Sequence, residues 1–371
     1  MLLVLSNMED KLKNSFATIT DPRIERHKKH SLTDIISLTI IASICGIESW
    51  ESIEDFGKSR IELLKTILEL ENGIPSHDTI ERLFKRIESK EFEKSFMNWT
   101  DHIRVKTQGQ IINFDGKTIR GSKDKSNNKY ALHMVSAWCG ENNLVLGQIK
   151  TQAKINEIAA LKELITLMDI EDCLITIDAM GCQKEIVKMI VDKNADYVIA
   201  VKENQGNLLK EIKDSFRFLK PNDTHEELTK DHGRIEARKC EIITNLEMIE
   251  TKQQWEKLTT LIKVSSSRTI GTEQTKEERY YISCQNKEAL HFQNAIRKHW
   301  SIENSLHWVL DVQFNEDHIR KRKDNAGENM VIVRRIALNK LKQHSFKRFG
   351  VNNKRLKAAY DDKFLLQVLK N

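Results

Sequence analysis

The chain predicts an α/β fold: a mixed sheet opened by three antiparallel strands and continued by strands that alternate with helices, with a helical region ahead of it and a β-rich insertion behind. Three observations carry this. The hydrophobic period switches from helical to alternating near residue 110, extended and helical segments then alternate to about residue 220, and short β-rich pieces return between Pro221 and Gln285 before two long helical patterns close the chain. A length of 371 residues with 39% hydrophobic content supports a sizeable core plus one or two smaller modules, and only three prolines argue against long disordered linkers.

The first hundred residues read as helices with short breaks. LTDIISLTIIASICGI (32 to 47) is apolar on every side, which predicts a buried core helix. The next stretch places Trp50, Ile53, Phe56, Leu63, Leu64 and Ile67 at near-helical intervals. In NGIPSHDTIERLFKRI (72 to 87), Asn72 and Gly73 stop one helix, and Asp78 with Glu81 predicts a capping box that opens the next. The helix, turn and basic helix (Arg82, Lys85, Arg86) are compatible with a DNA-reading helix-turn-helix. The favoured reading is an ordinary helical hairpin.

From residue 110, IINFD, YALHMVSAW and NLVLGQIKT read as three strands. Turn signals separate them at Gly121 to Asn128 and at Gly140 to Asn143. Helix (NEIAALKELITLMDI), strand (CLITIDA), helix (QKEIVKMIVDKN), strand (DYVIAVK) and helix (NLLKEIKDSFRFL) follow. This is the element order of the RNase H-like, retroviral-integrase-like fold. IEARKCEII, TTLIKVSSSRT and RYYISC form the insertion, and EALHFQNAIRKHWSIENSLHWVLDVQF reads as one long helix. The expected organisation is a helical N-terminal domain over 8–100, the first part of the core over 108–220, the insertion over 221–286 and a helical remainder with a basic C-terminal region over 287–371.

Asp115 and Asp178 each follow an apolar run, at the strand mouths where open α/β sheets bind ligands. If the first and fourth strands are neighbours, the two carboxylates share one sheet end. Like charges so placed call for a cation between them, and hard divalent ions take oxygen ligands. Two Mg²⁺ or Mn²⁺ ions about 3.5 to 4 Å apart would ligate a scissile phosphate. Glu303 is the best third acid, with Asn304, Asp311, Glu316 and Asp317 as further polar candidates. On one helix His299, Glu303 and His307 would stack on one face, which leaves three readings: a zinc site, a structural polar stripe, or Glu303 on the metal with the histidines contacting DNA or holding the carboxylate. Lys117 and Arg120 on the turn after Asp115, and Lys202 and Asn204 after the fifth strand, are candidate DNA contacts, each with a solvated-loop alternative.

The net charge of +6 fits a polyanion partner without proving one. More telling is the tract from Arg320 to Lys357, in which thirteen basic residues, among them Arg320, Arg322, Arg334, Arg335, Lys347 and Arg355, face only Asp324 and Glu328; it is expected to track a phosphate backbone. The six cysteines are scattered without metal-like spacing, so reduced thiols are expected, and Cys182 lacks an activating base. MLLVLSNMED is too short and too acidic for a signal peptide, Met8 is an alternative start, and no run reaches membrane-span length. A soluble, cytoplasmic, nucleoid-associated protein is expected.

FDGKTIRGS, ITIDAMGCQ, DYVIAVKENQGNL and HWSIENSLHWVLDVQFNEDHIRKR, in this order, resemble the bacterial insertion-sequence DDE transposases, nearest to the group that contains the H-repeat-associated proteins. DPRIERHKKHSLTDIISLTIIASICGIESWESIEDFG resembles that group's N-terminal associated domain, and the likeness extends from about Asp21 to Leu369. It implies a metal-dependent transposase with Asp115, Asp178 and Glu303 as its triad, acting as a homodimer on terminal inverted repeats and target DNA. The wider class places Tyr, Arg and Lys around the helix glutamate; here those positions hold Ile296, His299 and Leu310, so Arg297, Lys298 or His299 is expected to stand in for the arginine. The alternatives are a catalytically silent DNA-binding protein derived from a transposon, or an RNase H-like nuclease without strand transfer.

Overall fold

A computed structural model describes residues 14–123, 130–151, 156–231, 234–318, 320–346 and 348–370. The expectations attached to Met1, Met8, Lys347 and the turn beyond Lys123 lie outside them.

The helical start is α1 (Leu32–Ile44), α2 (Trp50–Ser59), α3 (Ile61–Leu64), α4 (His77–Arg86) and α5 (Ser89–Ile103). α1 is buried along nearly its whole length, as its unbroken apolarity requires, and Ser31 caps it by accepting from the Asp34 amide at 3.0 Å. The expected box on Asp78 and Glu81 is corrected: Ser76 is the cap of α4, accepting from the Thr79 amide, while Glu81 pairs with Lys85 one turn on. α4 buries Ile80, Leu83 and Phe84 and leaves Arg82 and Arg86 exposed.

Among the described residues a nine-stranded sheet follows, in the order β3-β2-β1-β4-β5-β9-β8-β7-β6. Its strands are β1 (Ile111–Ile119), β2 (Leu132–Cys139), β3 (Leu144–Thr151), β4 (Leu174–Ile177), β5 (Asp196–Val201), β6 (Asp223–Asp231), β7 (Arg234–Ile243), β8 (Thr260–Ile270) and β9 (Glu273–Ser283). β1, β4 and β5 run parallel, which requires the crossover helices α6 (Glu157–Leu167) and α7 (Lys184–Asp192); α8 (Gly206–Phe218) follows β5. The expected insertion does not stand apart. Its last strand pairs antiparallel with β5, so β6 to β9 lengthen the same sheet. β6 (DTHEELTKD) escaped the sequence reading because an outer strand that buries no apolar row carries no alternating signal.

Alternate residues of β1 and β4 face opposite layers. Ile112, Phe114, Ile175 and Ile177 pack beneath α6, α7 and α8. Ile111 and Leu174 face the other way, against α9 (Ala289–His299) through Phe292, Ala295 and Ile296. Beyond α9 the long helix expected from the sequence is broken by a π-helical turn at Glu303–His307 before α10 (Trp308–Gln313) resumes. The chain ends in α11 (Ala326–Gln343), α12 (Val351–Tyr360) and α13 (Asp362–Lys370). These helices share one core with α1, α2, α4 and α5, into which Ile302, Leu306 and Leu310 also insert. Asn339 of α11 fixes the assembly to the sheet, donating to the Val145 carbonyl and accepting from its amide, each at 2.9 Å.

The expected phosphate-tracking tract is largely interior. Arg334, Arg335, Lys340, Lys354 and Arg355 are buried: Arg334 and Arg355 share Glu48, Lys354 donates to the Leu341 and His344 carbonyls, and Lys340 donates to that of Leu369. Sequence shows the charge and hides the partner, because Glu48 lies nearly three hundred residues away in the chain.

Glu93 of α5 is 7% exposed, and burial, with Glu328 and Glu163 adding to it, pushes its carboxyl up to about 8. A folded-state value above the unfolded one stabilises at low pH and is lost as pH rises from the ordinary glutamate range through about 8. Glu93→Gln is therefore expected to be near neutral at pH 5 and to stabilise by on the order of 3 kcal/mol at pH 8.5. Urea melts at the two pH values check this; equal effects at both would contradict it.

Candidate active site

The β1–β4 register aligns Phe114 with Ile177, so the residues one step beyond, Asp115 and Asp178, stand side by side at one end of the sheet. Asp115 does not end its strand as expected, because β1 continues to Ile119 through its pairing with β2; only the parallel partner stops there. Asp178 leaves β4 as the cap of a short turn and accepts from the Met180 amide at 3.1 Å. The Asp115 carboxylate extends from the sheet face that α9 covers, two residues beyond Asn113 on the same strand.

Burial pushes the Asp115 carboxyl up to about 7, and the charges of Asp178, Glu157 and Glu303 push the same way. Burial and Glu157 likewise raise Asp178, against which Lys202 acts. Asp115 accepts from the Gly116 amide at 2.9 Å, and its other oxygen lies 3.5 Å from Nδ1 of His307. His307 is held down to about 3 by burial first and by Lys117 and Arg335 next, so it is neutral. Carboxylate oxygens are the donors that hard divalent cations prefer.

Glu303 is exposed at the start of the π turn. Among the described residues no three His, Cys, Asp or Glu side chains converge closely enough to hold one ion, while the charge of Glu303 still reaches Asp115. A π turn closes on residue i+5. On either side of its start, His299 meets Thr176 and His307 lies beside Asp115, while the exposed Glu303 acts on Asp115 through its charge.

Glu157, a fourth acid, was missed. It opens α6 and lines the cleft of Asp115 and Asp178 with Ile158, Met180 and Gly181. The available signal was an acid in the first helical turn after the third strand, at the same sheet end. Gly116 makes room for it: a Cβ there would lie 1.9 Å from Oε1 of Glu157 and 2.8 Å from Nε2 of His133. Gly116→Ala is expected to destabilise by about 1–2 kcal/mol and to displace the Glu157 carboxylate. A urea melt together with a crystal structure of the variant checks both; an unmoved Glu157 would contradict it.

The candidate DNA contacts divide. Arg120, Lys202 and Arg320 are exposed, Arg120 by 87% of its side chain. Lys117 is buried, with its ammonium between Asp311 and Glu316, and so is not presented to a phosphate. Arg322 donates twice to the Gly121 carbonyl, and the exposed Asn204 gives its amide to the Ala179 carbonyl. Arg297 and Lys298, about half exposed, pair with Glu227 and Glu141. Burial holds His299 down to about 4, which removes it as a cationic substitute for the class arginine.

The transposase DDE domain family matches residues 106–340, and the family that accompanies it, described as DDE_Tnp_1-associated, matches residues 13–100. The chain belongs to the DDE transposase family. YncI of Escherichia coli O157:H7, named as a transposase, is 44% identical to this DDE transposase over 96% of this chain and 94% of its own. YhhI of Escherichia coli K12, named as H repeat-associated, is 42% identical over 97% of each. YbfQ of the same strain, named an inactive transposase, is 56% identical over 54 residues, which are 15% of this chain and 64% of its own. Among the described residues of this transposase no helix is long and apolar enough to cross a membrane.

Proposed function

We propose that this protein cleaves DNA at the ends of its own insertion element and joins the freed 3′-hydroxyl ends to target DNA, on an RNase H-like core and as a homodimer that pairs the two ends. The observation that supports it is the adjacency of Asp115 and Asp178 on neighbouring parallel strands, with Glu303 close enough to raise the Asp115 carboxyl. In the first step water attacks a phosphodiester and leaves a 3′-hydroxyl and a 5′-phosphate. In the second that hydroxyl attacks a target phosphodiester, forming one P–O bond as another breaks.

The donor chemistry suits Mg²⁺ or Mn²⁺: Asp115, Asp178 and Glu303 would supply hard oxygens, and the half-buried Asp115, repelled by its acidic neighbours, is the group a cation would relieve. Bound there, the ions would activate the attacking oxygen and offset charge on the leaving one. The chain's own contribution is placement. β1 and β4 fix the two aspartates, neutral His307 lies beside Asp115, and the exposed Arg120, Lys202 and Arg320 would hold phosphates.

The exposure of Glu303 at the start of the π turn favours a second reading, a DNA-binding protein without cleavage. A duplex carrying the element's terminal repeat separates the two. With Mg²⁺ the wild type is expected to nick it and to yield strand-transfer products, and EDTA is expected to stop both. Tight binding with no nick under any divalent cation would leave the binder, and nicking without joined products would indicate a nuclease.

A further inference from the structure

Two residues before each aspartate, on the same sheet face, stand polar groups buried where an apolar pair would pack as well: Asn113 at 1% exposure and Thr176 at 2%, directly paired in the β1–β4 register. They join α9 through three hydrogen bonds whose directions are all determined. The Lys298 carbonyl can only accept, so the Asn113 amide nitrogen donates to it at 3.0 Å. The amide oxygen thus faces Thr176, whose hydroxyl donates to it at 2.7 Å. With its one proton committed, the Thr176 oxygen accepts from Nδ1 of His299 at 2.9 Å, so His299 carries its proton on Nδ1.

We infer that Asn113, Thr176 and His299 are positioning residues that set the reach of Glu303 to the two aspartates. The geometry is specific. One end of the network lies on the strands of Asp115 and Asp178, and the other on the last turn of α9, four residues before Glu303. Apolar packing alone would let the helix slide along the sheet, whereas a directional buried network fixes one register. The register matters here because Glu303 opens the π turn four residues beyond His299, so the seat of α9 on the sheet sets where that acid stands. His299 acts through Thr176.

The inference rests on the reading of Asp115, Asp178 and Glu303 as the metal-holding set, so its test measures metal binding apart from cleavage. Mn²⁺ binding to the full-length protein is followed by electron paramagnetic resonance, beside Mg²⁺-dependent nicking, duplex affinity and thermal melting. Thr176→Val, which keeps the shape and removes the hydroxyl, is expected to weaken Mn²⁺ binding and raise the Mg²⁺ needed for half-maximal nicking by about 10–100-fold, with duplex affinity unchanged. Thr176→Ser is expected to restore both to within about 3-fold. If Thr176→Val folds poorly, His299→Asn, whose amide can replace the Nδ1 proton, against His299→Leu carries the same comparison. A lowered melting temperature with wild-type Mn²⁺ binding and Mg²⁺ dependence would make the network purely structural and overturn the inference. If Asp178→Asn binds Mn²⁺ like the wild type, the reading of the site fails, and the inference falls with it.

Discussion

Asp178→Asn is expected to lower strand cleavage by on the order of 10³-fold or more while the protein stays folded, the cost of removing an interaction worth ~4 kcal/mol at the reacting phosphate. The fold should survive because asparagine keeps the oxygen that accepts from the Met180 amide and caps the turn after β4. Asp115→Asn is expected to lose the same activity but to differ in stability. Asp115 is half-buried among the charges of Asp178, Glu157 and Glu303, so neutralising it removes repulsion, and its melting temperature in EDTA at pH 8 should exceed that of the wild type. Gain of stability with loss of function is the signature of a group held in place for chemistry. Nicking of a terminal-repeat duplex and melting in EDTA check both variants; retained cleavage in either would remove that aspartate from the site.

The parts of this site that depend on order along the chain were legible in the sequence, and the parts that depend on phase or on distant partners were not. Three strands followed by alternating helices and strands placed Asp115 beside Asp178, because a parallel crossover leaves few neighbours for the fourth strand. Nothing in ENSLH announces the π turn that opens at Glu303. Lys117 misled because of its distant partners. A lysine in a glycine-flanked polar segment looks solvated until the chain brings Asp311 and Glu316 over it. Glu157 was hidden because its neighbours form an ordinary amphipathic helix, and only the Cβ-free surface of Gly116 shows how closely it approaches.

Arg335→Met is expected to destabilise the protein by ~3–5 kcal/mol, more than any exposed charge could. Glu316 is fully buried, with Arg335 on one side and Lys117, 2.8 Å from Oε2, on the other. Burial alone would raise its carboxyl, but Arg335 and Lys117 outweigh that and hold it at about 2. A folded-state value depressed below the unfolded one contributes stability that is full above the ordinary glutamate range and is lost as pH falls towards about 2. Arg335→Met leaves that carboxylate with half its compensation in a dry interior, whereas adding Glu316→Gln removes the stranded charge. The double variant should therefore recover part of the loss, a coupling that separates an ion pair from simple loss of packing. Urea unfolding of the single and double variants decides it, and additive losses would refute it. The effect also reaches the cleft: Lys117 is two residues beyond Asp115 on β1, so a slack Glu316 frees the strand segment that seats the first aspartate, and cleavage by Arg335→Met should fall even where the protein remains folded.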